Sequence, residues 1–141
     1  MKFLQSIDQG FVKKVQPDIL KAKSLMKASE EAIATASKIP LEPSAYKSIV
    51  RELYEGLRQY AEALGIQEGY KFESHEVITY FLDEIKNEKK ASLQFDKYRR
   101  IRNGINYYGD DVAPETVKEA LDNIPLMINI LKKHSKVKYK I

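Results

Sequence analysis

Between residues 44 and 64 the apolar positions Ile49, Leu53, Leu57, Tyr60 and Leu64 recur at intervals of three or four. That spacing is a single stripe of an amphipathic helix. Val117, Leu121, Ile124, Ile128 and Leu131 repeat in the same way, behind Pro114 and Glu115, which suit a first helical turn. Pro125 interrupts this run and predicts a kink. A helix opened by Pro17 and running to about Lys38 carries Leu20, Met26, Ile33 and Ala36 on or near one face. Pro40 and Pro43 then hold the chain out of helix, Ser44 is placed to cap the next one, and Gly65 to end it. After a loop over 69–74, Ser74 caps a shorter helix with Val77, Ile78, Phe81, Leu82 and Ile85 turned inward. Following a polar break at 87–90, a long helix covers about 91–108 and stops at Gly109. A short amphipathic segment over 3–15 comes first. No stretch alternates as a strand would, so no sheet is expected. The pattern predicts an all-α fold, an antiparallel bundle of four to five helices with a kinked C-terminal helix.

Composition narrows this picture. A chain of 141 residues without a repeat or linker reads as one domain over 1–141, with its core at about 10–134 and a basic tail at 135–141. The absence of Cys excludes disulfides, thiol catalysis and thiolate metal sites, and two His alone cannot make a zinc centre. No metal and no cofactor are expected. With no signal peptide and no apolar run long enough for a bilayer, the expectation is a cytoplasmic protein without membrane contact. The net charge of +4 is mild and permits an anionic partner without announcing one. Lys132, Lys133, Lys136, Lys138 and Lys140 crowd the end, as in a solvated terminus.

Candidate chemistry concentrates between Asp96 and Gly109. On a helix, Asp96, Arg99, Arg102, Asn103 and Asn106 share one polar stripe, and Ile101, Ile105 and Tyr108 would face the core. Two guanidinium forks beside two amides match phosphate oxygens, and the amides can meet a base edge. The alternative is a solvated face held by an Asp96–Arg99 or Asp96–Arg100 pair, worth only about 0.3–0.5 kcal/mol. Gly104, inside this helix, costs roughly 0.8–1 kcal/mol relative to Ala and suggests close approach of another helix or a ligand.

The Arg102-Asn103-x-x-x-Tyr107 run near the end of the penultimate helix, followed by Gly109 and a final amphipathic helix, resembles the HEPN domain (higher eukaryotes and prokaryotes nucleotide-binding). The Ala-rich segment 21–37, the helix over 46–64 and the Gly69-Tyr-Lys-Phe-Glu-Ser-His75 stretch occur in the same order, so the resemblance covers about 10–134. It implies an all-helical domain that dimerises through its motif helices. In active members, Arg and His of an Arg-x-x-x-x-His pattern meet across that dimer and cleave RNA without metal. Many such proteins are toxins in toxin–antitoxin pairs, neutralised by a small nucleotidyltransferase. Arg102 matches the motif Arg, Asn103 the polar residue after it, and Tyr107 stands where His belongs. Gly109 stands where some members carry a Tyr that receives nucleotidyl groups.

A phenol ionises near pH 10 and an imidazole near 6.5, so Tyr in the His place is a poor base at neutral pH and a better hydrogen-bond donor or stacking surface. His75 reads as a structural or capping-region residue, His134 as an exposed helix-end residue, and Tyr46, Tyr54, Tyr60 and Tyr80 as packing residues with wet hydroxyls. The resulting expectation is a HEPN-like nucleotide- or RNA-binding homodimer, the helical partner of a nucleotidyltransferase, with weak or no catalysis. Its binding residues would be Arg99, Arg102, Asn103, Asn106 and Tyr107. The alternatives are a metal-independent endoribonuclease using Arg102, Asn103 and Tyr107 across a dimer, and an interaction module only.

Overall fold

The computed structural model describes residues 1–137. Four long helices form the body: α2 (Ile19–Lys38), α3 (Tyr46–Gln67), α5 (Lys89–Tyr108) and α6 (Pro114–Leu131). Two short ones, α1 (Lys2–Asp8) and α4 (Glu76–Tyr80), flank them, and α4 continues as a π-helical turn through Phe81–Ile85. The fold is therefore an all-α bundle, as the periodicity predicts. Helix α3 is its central member, packing on α2, α5 and α6. Its whole stripe of Ile49, Leu53, Leu57, Tyr60 and Leu64 is buried. The α2–α3 contact is close because α2 presents Ala22, Ser29, Ala32 and Ala36 there. The Ser29 hydroxyl donates to the Gly56 carbonyl at 2.6 Å, and a Cβ on Gly56 would lie 2.8 Å from Ile33.

Several boundaries differ from the sequence pattern for identifiable reasons. Asp18, not Pro17, opens α2, its side chain accepting from the Lys21 amide at 2.9 Å. Leu20 belongs to a projecting first turn and is 80% exposed. Ser44 sits in a short 3₁₀ turn and does not cap α3, whose N-cap is Ala45. Gly65 lies within α3, which runs to Gln67, because the ring of Phe72 occupies the space a side chain would need. Tyr108 does not face the core: the last turn of α5 overhangs the bundle, leaving Asn106, Tyr107 and Tyr108 exposed. Pro125 lies inside α6, where its missing N–H leaves the Leu121 carbonyl without the usual donor, the expected origin of a kink.

A small sheet is also present. Strands β1 (Val12–Lys14) and β2 (Tyr70–Phe72) pair antiparallel, with Val12 opposite Phe72 and Lys14 opposite Tyr70. Each is too short for alternation to register in sequence. The sheet matters to the site because β2 leads directly to His75. Gly69, at φ +89°, makes the turn from α3 with its Cα close under the Val15 carbonyl. The amide of Glu73 donates to the Phe11 carbonyl at 2.8 Å, extending the pairing. Phe3, Tyr70, Phe72 and Phe81 stack edge-on or tilted beneath it.

At the other end the chain is pinned rather than loose. The buried Gln67 amide donates to the His134 carbonyl at 2.7 Å and accepts from the Lys136 amide at 2.9 Å. His134 is half-buried, with Nε2 3.2 Å from Glu88, and Val137 is buried. His134 is thus not a free helix-end residue, and the tail docks through Val137; Lys138 and Lys140 lie outside the described residues.

Candidate functional site

The site forms where α3, the start of α4 and α5 meet. Tyr54 projects from α3, His75 stands at the N-cap of α4, and Arg102 comes from α5. Arg102 Nη2 lies 2.6 Å from His75 Nδ1, and its guanidinium sits over the Tyr54 ring at 5.0 Å. The Tyr54 hydroxyl is 3.0 Å from the same Nδ1. A guanidinium can only donate, so Nδ1 is the acceptor and the ring proton resides on Nε2. Nδ1 has one lone pair, so the Tyr54 hydroxyl can only share it with Arg102, and the phenol oxygen in turn accepts from Arg102. Tyr54 rests in turn on Phe95, ring centres 5.5 Å apart.

Burial and charge reinforce this protonation state. His75 is pushed down to about 4, first by burial and then by the positive charges of Arg58 and Arg102. Burial likewise raises Tyr54 to about 12, against the opposing pull of Arg102. At neutral pH the trio is therefore a cation, a neutral imidazole and a neutral phenol.

The surrounding arginines differ in how they are matched. Arg58 pairs with Glu55 and Glu62 on its own helix. Arg99 pairs with Asp96 at 2.8 Å, and Arg100 takes the other Asp96 oxygen at 2.8 Å. Burial works to raise Asp96, but Arg99 and Arg100 outweigh it and hold the carboxyl below its usual range. Arg99 Nε is buried without a hydrogen-bond partner. Arg51, exposed, donates to Asn106 Oδ1 at 2.8 Å. Arg102 makes no ion pair among the described residues; its charge faces an aromatic ring and a neutral imidazole.

Two openings flank the Arg102–His75 pair, and both residues line each of them. The larger, about 540 Å³, is walled by Arg51, Glu52, Tyr54, Glu55, Arg58 and Asn106. The smaller, about 360 Å³, is walled by Glu73, Ser74, Glu76, Arg99, Asn103 and Tyr107. The sequence-predicted stripe is thus split: Arg99, Asn103 and Tyr107 serve one side, Asn106 the other, and Arg102 both. Gly104 does not admit a helix or ligand. Its close neighbour is the chain's own Asp110, whose carboxylate would lie 2.5 Å from an added Cβ. Tyr54, Arg51, Arg58 and His75 were not among the predicted binding residues. Tyr54 falls within the apolar stripe of α3, and His75 meets Arg102 through the packing of β2 on α3 and of α4 on α5. Ser74 is not the cap that the sequence suggests: the N-cap of α4 is His75, and Ser74 accepts from the Glu76 amide at 3.2 Å in a turn just before the helix.

Among the described residues, no group of three or more His, Asp or Glu side chains is placed to hold a metal ion. No helix among them is long and apolar enough to cross a membrane. No protein-family model, curated protein or solved structure matches the chain.

Proposed function

We propose that the chain is a HEPN-like nucleotide- or RNA-binding protein whose ligand phosphate seats on Arg102 beside His75. The observation carrying this reading is the state of Arg102: a half-buried guanidinium, oriented by a hydrogen bond to His75 and the face of the Tyr54 ring, with no carboxylate at ion-pair distance among the described residues. Desolvating such a charge is costly unless an anion completes it, and a phosphate oxygen accepts the fork of a guanidinium in favourable geometry. His75 adds a second donor, since its Nε2–H has no partner among the described residues. The test is anisotropy of a labelled single-stranded RNA with wild type and Arg102→Ala, the fold checked by circular dichroism. Loss of binding by a folded variant supports the reading, and unchanged affinity sinks it.

On the resemblance alone, the protein would act as a homodimer and as the helical partner of a nucleotidyltransferase in a toxin–antitoxin pair. The exposed Tyr107 and Tyr108 offer a contact surface for either. Co-purification and sedimentation of the full chain test both ideas.

A second reading is favoured by one contact. His75 lies where an imidazole can serve Arg102, a part the resemblance would assign to position 107. In a metal-independent endoribonuclease, Arg102 would move from Nδ1 to the phosphate and the Tyr54 hydroxyl would turn away from it, freeing that lone pair. Nδ1 would then take the proton of the ribose 2′-hydroxyl as O2′ bonds to phosphorus. The P–O5′ bond breaks and O5′ takes a proton from water, giving a 2′,3′-cyclic phosphate and a 5′-hydroxyl. Cleavage in EDTA, abolished by His75→Ala but retained in Tyr107→Phe, would support this assignment. The opposite pattern would return the role to Tyr107, and inert wild type would end the enzyme reading.

A further inference from the structure

The phosphate reading leaves open what lies on either side of the phosphate, and the charge pattern of the two openings answers that. At their shared wall stands Arg102, a half-buried cation that makes no ion pair among the described residues. Away from it the charges are largely balanced. In the larger opening Arg58 is neutralised by Glu55 and Glu62, while the exposed Arg51 makes no ion pair among the described residues, is held by Asn106, and shares the wall with Glu52. In the smaller one Arg99 is held by Asp96, and Glu73 is engaged by Lys13 and Lys71. The smaller opening offers a second phosphate no free cation, and in the larger one the exposed Arg51 shares its wall with Glu52, so a nucleoside polyphosphate tail is poorly served. Each volume, about 540 and 360 Å³, falls within the size range of sites that enclose a small organic ligand. Each also offers groups suited to a neutral nucleoside. Tyr107, 71% exposed, gives the smaller opening an unpacked ring on which a base can stack, and Asn103 supplies an amide. Asn106 and the carboxylate of Glu52 give the larger one acceptors and donors for a base edge or sugar.

We propose that the ligand is single-stranded nucleic acid at least two nucleotides long, held by one protomer with an internal phosphodiester astride the Arg102–His75 pair and a nucleoside in each opening. The inference rests on the phosphate reading above and adds to it a polarity and a minimum length. The single charge of the diester meets the one cation that both openings share, while uncharged nucleosides fill walls on which acidic and basic side chains alternate. It also places the complete site within one chain, built from α3, α4 and α5.

Calorimetric titration of the full-length protein separates the possibilities, with AMP, ATP and 2′-O-methylated adenylyl-adenosine as probes. The methyl group prevents cleavage. The dinucleoside monophosphate, although it has only one negative charge, is expected to bind about tenfold or more tighter than either mononucleotide. Tyr107→Ala, at an exposed position that cannot disturb the core, should weaken the dinucleotide several-fold with the fold unchanged by circular dichroism. Equal or tighter binding of AMP or ATP overturns the two-sided site while leaving the phosphate reading intact. Loss of dinucleotide affinity in Tyr107→Ala supports the stacking role, and no loss there overturns it. If none of the three probes binds, the phosphate reading fails and this inference fails with it.

Discussion

Arg102 donates to His75 Nδ1 across 2.6 Å, a cation resting on a neutral imidazole rather than on a carboxylate. Two elements far apart in the chain are joined by this one contact, and the surrounding site is organised around it. An anion that draws Arg102 away releases Nδ1, and its negative charge at the same time favours protonation of the ring. Ligand binding and His75 protonation are therefore coupled.

The pH dependence of stability follows from His75. Its folded value, about 4, lies below the ordinary value near 6.5, so the unfolded chain binds more protons between these limits. The resulting stabilisation is complete above about pH 6.5 and is lost as pH falls towards 4, by up to about 3 kcal/mol. Urea melts of wild type and His75→Gln across this range should show the slope in the former and its loss in the latter. Asp96 and Glu88 are both held below the usual carboxylate range. Their contributions disappear at still lower pH and persist in the His75 variant.

Arg102→Ala removes one of the three positive charges, Arg58, Arg102 and Arg99, that after burial hold His75 down. The His75 titration midpoint should therefore rise in the variant without reaching that of a free imidazole, because burial remains the larger cause. A proton NMR titration of the imidazole measures this directly. A midpoint unchanged from wild type would mean that Arg102 does not share the ring's environment in solution.

Two interior glycines should respond oppositely to Ala. A methyl on Gly56 meets Ile33 at 2.8 Å and the Ser29 carbonyl at 3.2 Å inside the α2–α3 contact. Gly56→Ala is expected to cost about 1–3 kcal/mol through overpacking. At Gly104 the obstructing atom is the end of the exposed Asp110 side chain, which can turn away. There the gain in helix propensity dominates, and Gly104→Ala should range from neutral to about 1 kcal/mol stabilising. Thermal melts of both variants decide the point.

Gln67→Met tests the docking of the chain end. The substitution keeps the volume but leaves the His134 carbonyl and Lys136 amide without their partner. A loss of about 1–3 kcal/mol is expected, with faster amide exchange confined to the C-terminal residues. Unaltered exchange at Lys136 would show that the clamp is not formed in solution.

The bundle was legible because helix burial repeats at short range: the stripe of α3 and the stop at Gly109 can be read locally, and both occur as expected. Half of the site was legible for the same reason. Arg99, Arg102, Asn103 and Tyr107 are neighbours on one helix and remain together around one opening. The other half depends on contacts that local pattern does not encode. Tyr54 is at once a core residue and the floor beneath Arg102, so its apolar spacing conceals its polar contact. His75 reaches Arg102 through tertiary packing, β2 lying on α3 and α4 on α5, which no local period encodes. Leu20 and Tyr108 show the converse limit: helical phase says which side a residue occupies, but not whether the helix extends past its neighbours at that turn.

The central claim is that a phosphate seats at the Arg102–His75 pair. NMR titration of the His75 imidazole, with and without a saturating 2′-O-methylated dinucleotide, tests it most directly. The account predicts that the midpoint, about 4 in the free protein, moves upward when the dinucleotide is bound. A dinucleotide that binds while the midpoint and the ring resonances of His75 stay where they are would place the phosphate elsewhere and contradict the account.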